Sequence, residues 1–389
     1  MDAATARLIT SPAGLSLLNS LPPYDPSDAL TLGQALRDRG VEPSLVAAAM
    51  TQAQWRAGAR AKFGEFADGM LFTAAGLEQA TRLNVAAHHA RRFREAGIDA
   101  IADLTCGIGA DAMAAAALGL EVVAFEKDEA TALIADHNLR HWDTAVVAHA
   151  DSMTLVGSME VRGAFADPAR RNARGRRHDP QDYSPPLDDI LALRAHIDAL
   201  GVKVGPSIDH AAIPEDVQAQ WISMDGSVVE AALWCGPLAT HPGHSALVMR
   251  EGQGHEMHGT TARAPTGPLS EYLIEPDGAV IRAGLVGELA STLDAHLIDS
   301  TIAYLTGDSP VPTPFASSYR VLDSFPYSLK RLARALKERH VGRVDIKKRG
   351  IDLTPEKLRP QLKLKGDAHA TVVITRVAGR HHALIVEPL

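Results

Sequence analysis

The stretch 98–126 is the part of this sequence that most constrains the fold. It reads as a short strand that ends in Asp103, a turn that contains Gly107 and Gly109, an alanine-rich helix, and a second, apolar strand followed by Glu126. Glycine permits a tight turn and a close approach of the backbone to a ligand. A continuous apolar strand is typical of a parallel sheet covered on both faces. The sequence therefore predicts an α/β fold with a ligand site at the carboxyl ends of these strands.

The charges around this turn distinguish between two classes of ligand. The turn matches the G-x-G-x-x-G/A pattern of dinucleotide sites, but that match alone is weak. Asp103 would repel a pyrophosphate, whereas S-adenosylmethionine (SAM) presents an ammonium and a sulfonium that a carboxylate attracts. Glu126 is placed to bind the ribose hydroxyls of a nucleoside, and Asp128 remains open for the same role. The residues favour SAM.

The segment resembles motifs I and II of class I SAM-dependent methyltransferases. A third short strand, 145–150, precedes an Asp-Ser pair at the position where that family binds adenine. A loop and helix ahead of the first strand resemble the corresponding run in trimethylguanosine synthases, and they add a Phe-Thr pair as a pocket wall. The resemblance implies a SAM site formed by Phe72, Thr73, Asp103, Thr105, Cys106, Gly107, Gly109, Asp111, Glu126, Lys127, Asp151 and Ser152.

The segment 163–171 resembles motif IV, (D/N/S)PP(Y/F/W/R), of methyltransferases that act on nitrogens of bases. There an acceptor oxygen and a backbone carbonyl fix an N–H group and direct its lone pair at the methyl carbon. The match implies catalytic roles for Asp167, Pro168 and Arg170, although Ala169 replaces the second proline. The arginine also resembles uridine C5 methyltransferases, but the fifth-strand region 202–210 lacks their nucleophilic cysteine. A covalent C5 mechanism is therefore disfavoured.

Basic residues are concentrated in two places. Residues 330–389 contain fifteen Lys and Arg against six Asp and Glu, a charge of +9, whereas the rest of the chain carries −17. An arginine-rich loop, 170–178, directly follows motif IV. A confined basic excess predicts a polyanionic partner, and guanidinium groups suit phosphates. We therefore expect RNA, with tRNA favoured, to contact Arg171, Arg174, Arg176, Arg177, Lys347, Lys348 and Arg349.

The pattern of the chain predicts four segments. Residues 1–95 read as a helical domain, 96–250 as the methyltransferase domain, 251–325 as a linker and helical connector, and 326–389 as a small α+β domain. The last segment resembles the THUMP-like domain of actinobacterial class I methyltransferases, and true THUMP domains serve tRNA-modifying enzymes. The predicted fold is a doubly wound, seven-stranded Rossmann-like sheet, whose final strands are expected to be antiparallel at 221–224, 228–234 and 246–249.

Other features narrow the class of protein. Two cysteines, Cys106 and Cys235, imply no disulfide framework and a reducing compartment. No apolar run is long enough to span a bilayer, and the N-terminus lacks the pattern of a secretory signal. Two histidine pairs, at 241/244 and 255/258, have no cysteine partner and no helical frame, so no metal is expected. The expected location is the cytoplasm.

Together these features predict a SAM-dependent methyltransferase that modifies a nitrogen of an RNA base. Two alternatives remain open. A small-molecule N- or O-methyltransferase would turn over without RNA. An RNA-binding protein whose SAM fold has lost catalysis is compatible with the non-standard sequence at 167–170.

Overall fold

The computed structural model describes residues 1–169, 171–172, 175–176 and 179–389. The chain divides into two compact units, of which the first comprises Met1–Val217 and Ala232–Thr240 and the second Gln218–Ala231 and His241–Leu389. These units do not coincide with the four predicted segments, whose boundaries stay a prediction. Within the described ranges, no helix combines the length and the apolarity needed to cross a membrane.

The helices of the first unit begin with a bundle ahead of the sheet and continue between its strands. In chain order they are α1 (Ala3–Thr10), α2 (Pro12–Ser20), α3 (Ala29–Asp38), α4 (Pro43–Phe63), α5 (Ala74–Gln79), α6 (Leu83–Glu95), α7 (Ala110–Ala117), α8 (Glu129–Leu139) and α9 (Leu187–Ala192). The side chains of Asp2, Ser11 and Thr73 cap α1, α2 and α5 by accepting backbone amides, which otherwise lack partners at a helix start. Helix α7 has the sequence ADAMAAAA and is almost wholly buried.

The strands of the first unit form a parallel array. They are β1 (Ala100–Asp103), β2 (Glu121–Glu126), β3 (Ala145–His149), β4 (Gly163–Ala166) and β7 (Ala199–Val204). Two further strands of two residues each, β5 (Arg171–Asn172) and β6 (Gly175–Arg176), form a separate antiparallel pair. The order of the parallel strands is β7-β4-β1-β2-β3. The chain runs outward from β1 in one direction to β3 and returns to β4 on the other side, so β1 marks the switch point where α/β sheets bind ligands.

The second unit is built mainly from strands. They are β8 (Gln218–Met224), β9 (Ser227–Cys235), β10 (Gly243–Arg250), β11 (Gln253–Gly259), β12 (Tyr272–Pro276), β13 (His296–Asp299), β14 (Ile302–Gly307), β15 (Ala316–Pro326), β16 (Val341–Lys348), β17 (Ala368–Val377) and β18 (Arg380–Pro388); the end of β9 belongs to the first unit. Its helices are α10 (Gly278–Arg282), α11 (Val286–Thr292), α12 (Leu329–Glu338) and α13 (Pro355–Leu362).

A seven-stranded sheet organises the carboxyl-terminal part of the second unit. Its order is β13-β14-β12-β15-β18-β17-β16, which leaves β16 at an edge. Helices α12 and α13 cover this sheet through a core that contains Leu332, Leu336, Leu358 and Leu362. The predicted small α+β domain therefore shares its sheet with strands that precede residue 326.

Several sequence expectations about the strands are wrong. The strands β8 and β10 pair in parallel rather than antiparallel. The sheet that contains β1 has nine strands rather than seven. The predicted linker 251–270 includes β11, and the predicted helical connector is largely β12 to β15. The polar sequence of β11 has no apolar alternation that would indicate a strand. Glu251 and Gly252 both have positive φ, which suits the two-residue hairpin loop that joins β11 to β10.

Candidate cofactor and acceptor site

A cavity of about 690 Å³ lies at the carboxyl ends of β1, β2 and β4 in the first unit. Residues from six separate stretches of sequence form its wall. The predicted site residues on this wall are Thr73, Asp103, Thr105, Cys106, Gly107, Asp111, Glu126, Lys127, Asp151, Ser152 and Asp167. The parallel register explains the convergence, because it aligns Asp103 with Ala124 and Phe165 and so brings the strand ends to one edge.

The turn between β1 and α7 depends on two glycines. Gly107 has a φ of 56° and Gly109 a φ of 86°, in the left-handed region that other residues enter only at a cost. Gly109 is the residue that caps α7. The amide of Cys106 donates to the carbonyl of Phe125 at 2.9 Å and ties the turn to β2. At Gly107 the wall is therefore bare backbone that a ligand can approach closely.

The pKa values of two carboxyl groups on the wall, Asp103 and Asp111, are shifted in opposite directions. Asp103 is 2 % exposed, and burial, reinforced by the charge of Asp111, raises its pKa well above the ordinary value. Burial also acts to raise the pKa of Asp111, but its 2.9 Å hydrogen bond with His89 Nδ1 and the charge of that ring outweigh burial and lower it. A cationic ligand group beside Asp103 would favour its ionised form.

The structure distinguishes between Glu126 and Asp128, the two acids that the sequence left as candidates for binding the ribose. Glu126 lies on the cavity wall, accepts the amide of Asp128 at 2.8 Å, and has its pKa raised by burial. Asp128 instead caps α8 by accepting the amide and the hydroxyl of Thr131 at 2.9 and 2.7 Å. It is not among the residues that line the cavity. Glu126 is therefore the acid of this pair that faces the cavity.

A buried lysine that the sequence analysis missed lies beside Asp167. Lys203, on β7, is 3 % exposed. Its ammonium lies 2.8 Å from Asp167 Oδ2 and 2.8 Å from Thr81 Oγ1. The amide of Asp167 also donates to the hydroxyl of Thr105 at 2.6 Å. A signal was present in the sequence, because Lys203 interrupts an otherwise apolar buried strand, ALGVKV, and lysine is almost never buried without a partner.

The chain that follows Asp167 is held by a backbone bridge. The amide of Ala169 donates to the carbonyl of Ser184 at 3.0 Å, and the amide of Ser184 donates back at 3.1 Å. The ammonium of Lys127 donates to the hydroxyl of Ser184 at 2.9 Å. Since Ala169, Ser184 and Pro185 all line the cavity, this bridge forms the wall on the motif IV side.

Three predicted site residues are not on the described cavity wall. Phe72 is fully buried, with its ring 5.8 Å from that of Phe63, and its backbone is held by Gln52. Gly109 and Pro168 neighbour wall residues but do not line the cavity. Phe72 therefore packs in the core beneath the loop that precedes α5, because an aromatic ring is better accommodated there than beside a polar ligand.

The predicted RNA-binding residues fall into two groups. Arg174 and Arg177 lie outside the described residues, as does Arg170, which was predicted to be catalytic, and Arg171 and Arg176 are described only as backbone of the β5–β6 pair. In the second unit, the ammonium of Lys347 lies 2.7 Å and the guanidinium of Arg349 3.7 Å from the carboxylate of Glu275, whereas Lys348 is exposed. Two of these three cations, at 347 and 349, thus have an internal partner, so their expected contact with RNA stays a prediction.

The histidine pairs contact other groups. The rings of His241 and His258 stack with centroids 4.0 Å apart, and His244 Nδ1 lies 2.9 Å from the carbonyl of Ala283. Within the part of the chain that the structure describes, no three or more His, Cys, Asp or Glu side chains are grouped to hold a metal ion.

The chemistry of the cavity wall fits SAM. The carboxyl of Asp103 complements a cationic methionine end, and Glu126 offers acceptors to ribose hydroxyls. Lys127 is the single Lys or Arg on the described wall, so the wall has little to neutralise a pyrophosphate. The charged groups on the wall therefore agree with the preference for SAM over a dinucleotide that the sequence indicated.

Comparison with known proteins identifies relatives of this chain. Two curated proteins of Mycobacterium tuberculosis, from strains CDC 1551 / Oshkosh and H37Rv, are both described as uncharacterized S-adenosylmethionine-dependent methyltransferases. Each is 33 % identical over 314 residues, which span 79 % of this chain and 85 % of the relative. A presumed methyltransferase from Porphyromonas gingivalis W83 shares the fold, with a TM-score of 0.73 and 19 % identity over 94 % of this chain and 100 % of that one.

Two domain families match parts of the chain. A THUMP domain-like family matches residues 316–388 and a domain of unknown function, DUF8688, matches residues 2–59. The THUMP-like match begins with β15, which agrees with the sheet that this strand shares with β16 to β18. Because the identity of 33 % extends over most of both chains, the protein belongs to the family of SAM-dependent methyltransferases, uses SAM as its cofactor and carries a THUMP-like domain at its carboxyl-terminal end.

Proposed function

We propose that this methyltransferase modifies a nitrogen of an RNA base and that Asp167 orients the acceptor. The observation that carries the proposal is the position of Asp167 on the same cavity wall as Asp103 and Glu126. Bound SAM supplies a methyl group on a sulfonium centre. The carboxylate of Asp167 accepts an N–H group of the acceptor and so fixes the direction of its lone pair.

The neighbours of Asp167 favour orientation over covalent catalysis. A carboxylate has about four acceptor positions, so contact with Lys203 is compatible with an acceptor N–H on the same group. Cys106 is the cysteine on the described wall, and burial raises the pKa of its thiol well above the ordinary value. A thiol that resists ionisation is a poor nucleophile, which supports direct transfer to nitrogen.

The THUMP-like part of the chain supports RNA as the acceptor. A cleft of about 730 Å³ lies between β16 and α13, and Arg343, Arg359, Lys363 and His369 line it together with one acid, Asp345. A cleft lined mainly by one sign of charge concentrates the electrostatic potential. Because Lys347 and Arg349 contact Glu275, we propose this cleft as the surface that contacts RNA phosphates.

The first experiment measures transfer of radiolabelled methyl from SAM to total RNA from a strain that lacks the gene, with a metabolite extract in parallel. We expect label in RNA and a loss of about 100-fold or more for Asp167→Ala, similar to the removal of one oriented hydrogen-bonding group from an active site. The matched control is Asp136→Ala, an exposed carboxylate on α8, which should retain normal transfer. Label in the extract alone would overturn the assignment of RNA, and transfer unaffected by Asp167→Ala would overturn the assigned site.

The second experiment tests the cleft through the salt dependence of RNA affinity. We expect Arg343→Gln/Arg359→Gln/Lys363→Gln to reduce the slope of log affinity against log salt by about 0.7 to 0.9 for each lost phosphate contact. The matched control, Lys330→Gln/Arg334→Gln/Lys337→Gln, removes the same charge from α12. Equal slopes for the two triple variants would contradict a role of the cleft beyond its net charge.

A further inference from the structure

A chain of five polar side chains runs beside the cavity and joins α6, α7 and β7 to two loops of the first unit. His89 Nδ1 lies 2.9 Å from Asp111 Oδ1, and the hydroxyl of Thr81 is hydrogen-bonded to the same carboxylate. The ammonium of Lys203 then lies 2.8 Å from Thr81 Oγ1 and 2.8 Å from Asp167 Oδ2. Three of the five residues, Thr81, Asp111 and Asp167, line the cavity itself.

The chemistry of the groups fixes the direction of these hydrogen bonds. A lysine ammonium has three donors and no acceptor, so Thr81 must accept from Lys203. The single hydrogen of the Thr81 hydroxyl is then available to donate to the carboxylate of Asp111. His89, Thr81 and Lys203 are at most 3 % exposed, so water does not readily replace these partners.

We propose that Lys203 is the positioning residue of this site, one ammonium that fixes the carboxylate of Asp167 and, through Thr81, that of Asp111. Asp111 follows the glycine turn of the cofactor site, whereas Asp167 stands on the motif IV side. The same cation therefore couples cofactor binding to acceptor alignment. The part that concerns the acceptor rests on the proposed function, whereas the link between the two carboxylates does not.

The segment that contains Thr81 is a wall of the cavity. Ala75, Gly76, Gln79, Ala80 and Thr81 all line the cavity. A second lysine holds this segment, because the ammonium of Lys62 donates to the carbonyls of Leu77, Glu78 and Ala80 at 2.7 to 3.0 Å. Lys62 thus holds the backbone of the wall, whereas Lys203 holds its terminal hydroxyl and links it to Asp167.

A thermal-unfolding cycle tests the pairing of Lys203 with Asp167 without any turnover. The full-length variants are Lys203→Met, Asp167→Asn and the double substitution. We expect Lys203→Met to lower the melting temperature, because it leaves a partly buried carboxylate without its cation. Asp167→Asn should then raise the melting temperature of the Lys203→Met protein, since it removes that charge. A Lys203→Met protein that melts like the wild type would overturn the pairing.

Calorimetric titration with SAM tests the coupling through Thr81. Thr81→Val keeps the shape but removes the hydroxyl, and we expect about tenfold weaker binding; Thr81→Ser should stay within about twofold of the wild type. The effects of Thr81→Val and Lys203→Met should not add, because both break the same link. Lys62→Met is the comparison, and its effect should add to that of Thr81→Val. Additive effects of Thr81→Val and Lys203→Met would contradict the coupling.

Measurements of kcat and KM distinguish a positioning role of Lys203 from a merely structural one. In the folded Lys203→Met protein we expect kcat to fall by about 10- to 100-fold, with a much smaller change in the KM for the acceptor, because misalignment acts on the transition state. A change confined to KM would contradict positioning. If the wild type transfers methyl to no acceptor, the proposed function fails, and the unfolding cycle and SAM titration still decide the role of Lys203.

Discussion

Asn138 offers a prediction whose size follows from the contacts of one side chain. It lies on α8 and is 2 % exposed. Its Oδ1 accepts the amide of Leu71 at 2.8 Å, and its Nδ2 donates to the carbonyls of Leu71 and Ile108 at 3.0 and 2.8 Å. Because Ile108 belongs to the cofactor turn, this amide holds the turn and the loop before α5 against one helix.

The cost of Asn138→Ala can be worked from these three bonds. Each buried hydrogen bond contributes about 1 kcal/mol net, and a buried partner left unsatisfied costs about 1–3 kcal/mol. Leu71 has no exposed surface, so its amide and carbonyl would remain without water. We expect a loss of about 3 kcal/mol in the free energy of unfolding. For a unit of this size that corresponds to a fall of about 6–12 °C in the melting temperature.

Differential scanning calorimetry of the full chain measures this change, with SAM titration in parallel. The matched control is Asp136→Ala, two residues earlier on the same helix and exposed, which should change the free energy of unfolding by less than about 0.5 kcal/mol. We also expect Asn138→Ala to weaken SAM binding, because the turn loses its support. A cost below about 1 kcal/mol for Asn138→Ala would refute the reasoning.

Three further predictions concern titration and backbone conformation. Burial lowers the pKa of His137 to about 4, so between pH 6.5 and 4 the unfolded chain binds a proton that the folded chain does not. The free energy of unfolding should therefore fall on acidification by up to about 1.4 kcal/mol per pH unit. Urea titrations of His137→Gln should lack this contribution. Burial lowers the pKa of Lys62 to about 8, so its contribution to stability should rise between pH 8 and 10.5, and melting curves of Lys62→Met should lose that rise. Gly109→Ala should lower the free energy of unfolding by about 1–2 kcal/mol, because residue 109 has a positive φ. Gly58→Ala, in open space within α4, should instead raise it by about 1 kcal/mol. Equal melting temperatures for these two variants would contradict the argument.

The cofactor half of the site was predictable because its residues are close in sequence. Asp103, the glycine turn and Glu126 lie within one strand–turn–helix–strand unit, whose local rules of glycine conformation and strand direction determine where each side chain stands. The structure places Asp103, Gly107 and Glu126 on one cavity wall. Periodicity was less informative for β11, because its pairing depends on backbone hydrogen bonds with β10 rather than on an apolar pattern.

The sequence alone determined the fold class, the cofactor and the acids at the strand ends, since these follow from short-range patterns. Only the tertiary structure decided which acids face the cavity and what holds them. Thr81 and Lys203 are 122 residues apart in the chain and yet share a 2.8 Å hydrogen bond. Asp128 is withdrawn from the site by its role as a helix cap. Such choices depend on which groups folding brings within hydrogen-bonding distance away from water, and no local pattern of residues specifies that.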